Sequence, residues 1–189
     1  SADQPESADQ QKDADQPESA DQPESADRQA QPQQAAPAAA AAPARNIITV
    51  INNFANTVLN LTLRDVKIDV SDEDEKTALS VQGDGNVEIE LDGDNELKSG
   101  FVRAGLEKNT STGTLTLKDD NKDGSLKATG GANGAGIGGD GGSGGSNVTV
   151  SGAAQVTATA GKGSRYAGAG ATIGGGGSST QDSDGNTVP

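Results

Sequence analysis

Large aliphatic and polar positions alternate along this chain in short bursts. Leu59, Leu61 and Leu63 make one burst; Val66, Ile68 and Val70 make the next, after Arg64-Asp65. A period of two with β-branched enrichment predicts strands, because successive strand side chains point to opposite faces. No window shows the 3.6-residue spacing of a long amphipathic helix. Ahead of the bursts, Asn46 to Ile51 (NIITVI) predicts a first or capping strand.

The bursts recur in order. Gly113 to Gly139 reads as one complete rung of a coil: a strand at Leu115/Leu117, a polar turn from Asp119 to Gly124, a strand at Leu126/Ala128, then a glycine-rich bend and a third touch-down at Ile137. Aligning the apolar pairs makes Leu61/Leu63, Ile89/Leu91, Leu115/Leu117 and Val148/Val150 equivalent first strands. Second strands fall at Ile68/Val70, Leu97, Leu126/Ala128 and Val156/Ala158, and third touch-downs at Leu79/Val81, Leu106, Ile137 and Ile173. On this alignment successive first strands lie 28, 26 and 33 residues apart. One such rung cannot bury its inner face, whereas a stack of them can. The expected fold is all-β: a right-handed parallel β-helix of four to five rungs over residues 46–177.

Residues 1–45 are of another kind. They open with hexapeptides of the SADQPE type and run on into an Ala/Pro-rich stretch, with no Val, Ile, Leu, Phe, Tyr, Met or Trp. Ordering each residue costs about 1–2 kcal/mol of backbone entropy, and nothing here offsets it. A disordered linker is expected for 1–45. Residues 178–189 form a polar tail, and the chain lacks an initiator Met, so it is expected to be a piece of a longer protein with further rungs or a cap.

Charge and composition narrow the function. A net charge of −14 argues against a nucleic-acid partner, which demands clustered Lys and Arg. No apolar run approaches the ~20 residues that would insert in a bilayer. The chain has no Cys, which removes thiol catalysis and disulfides, and no His, the commonest general base. Only Phe54, Phe101 and Tyr166 are aromatic; they fall in different rungs, which weighs against sugar-stacking platforms. No enzymatic activity is expected.

Two further motifs bear on ligands. Gly134 to Gly139 fits G-x-G-x-x-G, but Asp140-Gly141-Gly142-Ser143 cannot start the helix that would hold a pyrophosphate, so no nucleotide is expected. Asp119-x-Asn121-x-Asp123-Gly124 has the alternating oxygens that open a calcium loop, while the twelfth position is Gly130 rather than Glu. Asp119, Asn121 and Asp123 are therefore the candidate metal ligands, with calcium the one candidate cofactor. Ordinary Asp/Asn/Gly turn chemistry explains the same letters.

The runs NVEIELDGDNELKSG (Asn86 to Gly100), GSLKATGGANGAGIGG (Gly124 to Gly139), NVTVSGAAQVTATAG (Asn147 to Gly161) and AGAGATIGGGG (Ala167 to Gly177) resemble the repeat-rich surface proteins of gut Firmicutes labelled adhesin-like or carbohydrate-binding-domain-containing. The resemblance covers roughly residues 46–177 and departs at Ser71 to Glu75, where acidic residues replace the usual glycine turns. It implies a right-handed β-helix and display on a bacterial cell surface or secretion, and it implies no reaction. The expected function is a non-catalytic, adhesin-like interaction or structural module contacting a host or neighbouring cell surface. The alternative is a carbohydrate-binding module that holds polysaccharide through polar and acidic turns, assisted by calcium.

Overall fold

The computed structural model describes residues 41–181 and 187–188, with side chains through residue 179. The expectation of a disordered 1–45 segment lies, up to residue 40, outside the described residues. Among those described there are fourteen strands and no helix. β1 (Ile48–Ile51) leads in. Rung one is β2 (Val58–Arg64), β3 (Lys67–Asp69) and β4 (Leu79–Gln82). Rung two is β5 (Asn86–Lys98), which runs through two walls, and β6 (Leu106–Lys108). Rung three is β7 (Leu115–Lys118), β8 (Gly124–Thr129) and β9 (Ile137–Gly138). Rung four is β10 (Val148–Val150), β11 (Gln155–Thr159) and β12 (Ile173–Gly174). In the polar tail, β13 (Thr180–Gln181) pairs antiparallel with β14 (Thr187–Val188).

Every pairing between rungs is parallel, so the chain is a parallel β-solenoid of about four rungs with three walls. The first wall stacks β2, the start of β5, β7 and β10. The second stacks β3, the end of β5, β8 and β11. The third stacks β1, β4, β6, β9 and β12. Pairing begins slightly earlier than expected, because Ala44 bridges Ile68 on the second wall.

The inner faces build continuous aliphatic columns, as alternation demands. On the third wall Ile48, Leu79, Leu106, Ile137 and Ile173 stack in register, matching the expected touch-downs. On the second wall Ile68, Leu97, Ala128 and Ala158 do the same. The first wall differs from the sequence alignment by two residues at rung three. Leu61 stacks on Ile89 as expected, but Ile89 meets Leu117 and Val87 meets Leu115, so the spacings Leu61–Ile89, Ile89–Leu117 and Leu117–Val150 are 28, 28 and 33 residues. Rung two holds three inward aliphatics here (Val87, Ile89 and Leu91), and matching rung three from the wrong end of that triplet caused the slip. A shift of two keeps every side chain on its proper face, so the core assignment survives. Ile89, Leu91, Leu115 and Leu117 are fully buried.

One left-handed residue per rung makes the corner between the first and second walls: Asp65 (φ 51°), Gly93 (65°), Lys122 (68°) and Gly152 (66°). Glu75, Val102 and Asn133 (57°, 58° and 68°) do the same between the second and third. The backbone ladder continues around this second corner, through Val102 N–H to Ala132 O (2.9 Å) and Asn133 N–H to Lys162 O (3.0 Å).

Candidate binding groove

The second corner gathers two of the three aromatic side chains of the chain. Phe101 and Val102 of rung two, Asn133 of rung three and Tyr166 of rung four line one groove of about 310 Å³, floored by Gly141, Gly142 and Gly177. Sequence reasoning scattered the aromatics over different rungs. The stack brings Phe101 and Tyr166 to the same groove, because residues two rungs apart in sequence lie about 10 Å apart along a solenoid axis. Phe54 stands apart in the loop between β1 and β2, 76% exposed. A sign of the groove was readable in Phe101-Val102-Arg103, an apolar pair in a turn that could have been glycine.

The groove is held rigid from beneath. Asn133 Nδ2 donates to Ala167 O (2.9 Å) and Gly168 O (2.8 Å), pinning the loop that carries Tyr166. Within that loop Tyr166 N–H donates to Ser164 Oγ (3.2 Å), and Ser164 N–H to Ala167 O (2.9 Å). Gly141 N–H donates to Val102 O (2.7 Å), and Gly142 N–H to Gly177 O (2.8 Å), which knits the floor across rungs. The Arg165 guanidinium lies 5.3 Å from the centre of the Tyr166 ring, within cation–π range. Phe101 is 43% and Tyr166 63% exposed, so both rings remain available to a ligand. Val102 is a β-branched residue at φ 58°, a conformation that costs about 1–2 kcal/mol, and such strain gathers at sites of function.

The predicted metal ligands take different places. Asp119 follows β7 into the corner and is buried, 1% exposed. Its Oδ1 accepts from the backbone N–H of Lys122 (2.7 Å) and Asp123 (3.4 Å), and its Oδ2 from that of Gly124 (3.1 Å). The carboxylate thus caps its own turn. Asn121 and Asp123 point outward on that turn and are exposed. Among the described residues no three His, Cys, Asp or Glu side chains cluster as a metal site.

A second polar cluster sits on the outer face of the third wall. Arg103 Nη1 donates to Asp140 Oδ2 (2.6 Å), and Ala104 N–H to Asp140 Oδ1 (2.8 Å), so both carboxylate oxygens are engaged. Burial and the neighbouring Asp140 carboxylate push the Glu107 carboxyl above its usual range, against the pull of Ser80, Arg103 and Thr77. Arg103 Nε is the one buried side-chain polar atom without a partner among the described residues. The pair resembles an acid and a base in its chemistry, but Asp140 already serves to fix Arg103 and the backbone at Ala104.

Asn95 and Lys108 are polar residues at inward positions, and sequence reasoning passed over both. Asn95 stands in the column of Leu126 and Val156. Its Oδ1 accepts from Val66 N–H (2.9 Å), and its Nδ2 donates to Asp92 O (3.2 Å) and Ser125 O (3.1 Å), tying three rungs together. Lys108 stacks on Val81 and is 1% exposed. Its ammonium is caged by Asn109 O (3.0 Å), Ser111 O (3.1 Å) and Ser111 Oγ (2.9 Å), and burial pushes its pKa down.

Compared with known proteins, no family model, no curated protein and no solved structure matches this chain.

Proposed function

We propose that the protein is a non-catalytic solenoid of a bacterial surface or secretion, an adhesin-like interaction or structural module that meets its partner at the second corner. The observation that carries this reading is the groove in which Phe101, Val102 and Tyr166 converge on a rigid backbone floor. Rigidly held, exposed aromatics supply contact area at little entropy cost, which is what a binding surface needs. The cell-surface setting rests on the resemblance of the glycine-rich runs to displayed repeat proteins.

The same groove favours the carbohydrate-binding reading as the second. A pyranose ring offers an apolar face to stack on Phe101 or Tyr166, with the hydroxyls of Ser164, Ser178 and Ser179 around the rim. This replaces the acidic turns as the contact surface, while calcium at Asp119, Asn121 and Asp123 stays part of the reading as an accessory.

Glycan-array binding of wild type, Phe101→Ala and Tyr166→Ala tests both readings, with and without calcium. Binding lost in both variants supports carbohydrate recognition at the groove. No glycan bound, with intact cells bound through the same residues, supports the adhesin-like reading. Adhesion untouched by either substitution sinks the groove as the contact site. Release of reducing ends from polysaccharide, lost in Glu107→Gln, would replace both readings with an enzyme.

A further inference from the structure

The aliphatic columns come into the open at both ends of the stack. At the rung-one end Leu59 is 37% and Val58 49% exposed. Two clefts of about 420 and 520 Å³ open there, one lined by Val50, Leu59 and Leu61, the other by Ile47, Val66 and Ile68. At the rung-four end Val150 is 43% and Ile173 48% exposed, although both continue columns whose inner members are fully buried. Residues 1–45 contain no large apolar side chain, and residues 175–189 contain only Val188.

The two ends also match one another. β10, β11 and β12 form the last edge of the three walls, and β2, Ala44 and β1 form the first edge of the same three. Their strands run in one direction, so the rung-one edge of one molecule has the geometry of the rung that would follow β12. Charge agrees with shape. Residues 141–181 contain no Asp or Glu and place Lys162 and Arg165 at the second corner of rung four. The same corner of rung one carries Asp72, Glu73, Asp74 and Glu75. Arg45 pairs with Asp72 (2.6 Å) and Glu73 (3.0 Å) and Lys76 with Glu73 (2.7 Å), which leaves Asp74 and Glu75 without an ion pair among the described residues.

We propose that this chain stacks head to tail on a second copy of itself. The Val150/Ile173 end of one molecule sits on the Leu59/Leu61 end of the next, and the three walls run on through the junction by strand addition. Lys162 and Arg165 face the acidic corner of the neighbour and set the direction. Because the two surfaces are different patches, the contact is heterologous and does not close, so it builds a linear stack rather than a dimer.

Sedimentation velocity on the full 189-residue chain, over about a hundredfold range of concentration, tests this. The weight-average mass should climb with concentration and show no plateau at twice the monomer. Val150→Lys blocks one end and Leu59→Lys the other, so each variant alone should remain monomeric. Mixed together they should form one-to-one heterodimers and nothing larger. Lys162→Glu with Arg165→Glu leaves the core untouched and should weaken association at least about tenfold. Circular dichroism on each variant separates lost stacking from lost folding. A wild type that stays monomeric throughout, one that saturates as a dimer, or two folded end variants that fail to pair would each overturn the proposal.

Discussion

Rungs two and four share the same three walls but are held by different means. In rung two Val87, Ile89, Leu91, Leu97 and Leu106 are all fully buried, and cross-rung ion pairs such as Lys98–Asp69 (3.4 Å) and Lys118–Glu88 (3.3 Å) line its outer faces. In rung four the inward residues are Val148, Val150, Val156, Ala158 and Ile173, smaller for the most part and none of them fully buried. Backbone takes over instead. Gly161 N–H reaches Gly134 O (2.9 Å), Gly177 N–H reaches Asn133 O (2.6 Å) and Gly176 N–H reaches Ser143 O (2.9 Å), contacts that need main chains to approach with no Cβ between them. A rung packed by side chains suffers most when an unpaired charge enters its column. A rung packed by backbone tolerates neither a methyl group nor a shift.

The largest effect should come from breaking the side-chain half. Leu117→Asp puts an unpaired charge into the column between Ile89 and Val150 and should cost about 3–5 kcal/mol in urea unfolding. Thr116→Asp, one residue away on the outer face, should cost no more than about 1 kcal/mol, chiefly through Glu88 and Lys118 beside it. Equal losses at the two positions would reverse the assignment of faces.

The backbone half should answer to a single methyl group. A Cβ at Gly136 would meet Thr172 O at 2.6 Å and Thr159 N at 2.7 Å, neither of which is a flexible side chain. Gly136→Ala should therefore cost about 1–3 kcal/mol. Gly142 has φ 79° with nothing within 4 Å, so Gly142→Ala meets only backbone strain of about 1 kcal/mol. Thermal melts of the pair separate crowding from conformation, and a Gly142→Ala loss exceeding that of Gly136→Ala would undo the distinction.

The smallest effect belongs to Lys108, where side-chain packing ends and glycine packing begins. Lys108→Met removes a buried charge together with its three hydrogen bonds, and the two nearly offset, leaving a change within about 1 kcal/mol at neutral pH. The pH dependence carries more information. Burial lowers the folded-state pKa of Lys108 below its ordinary 10.5, so between the two values the unfolded chain binds the extra proton. Wild type should gain stability relative to Lys108→Met as pH rises through that window. A gap that narrows with pH would mean that the ammonium is not caged as described.

Much of the architecture was legible because the period-two signal is strong wherever both faces differ. The third-wall column from Leu79 to Ile173 could be read directly, since Leu106, Ile137 and Ile173 each offer a single large aliphatic to match. The register of the first wall could not, because Val87, Ile89 and Leu91 offer two equally apolar matches to Leu115 and Leu117. Asn95 and Lys108 escaped notice because alternation registers polarity, not direction, and both point inward with hydrogen bonds that no pattern announces. Asp119 reads two ways for the same reason: a carboxylate that caps a turn and one that opens a calcium loop are written with the same letters. The groove was hidden by linear distance, 65 residues from Phe101 to Tyr166, which the coil reduces to two rungs.

β5 passes from the first wall to the second without a break, pairing with β2 and β3 on one side and with β7 and β8 on the other. The order of assembly follows from that continuity. Repeat stacks can nucleate at any rung and grow outward, and the favoured start is where one segment templates the most neighbours. β5 is that segment, so folding is expected to begin at rung two and spread towards both ends. Pulse-labelled amide exchange would then show protection arising first at Ile89 and Leu97 and last at Ser151 and Ala153, whose N–H groups bond rung four to Leu117 O and Asp119 O of rung three, a wave rather than a single event.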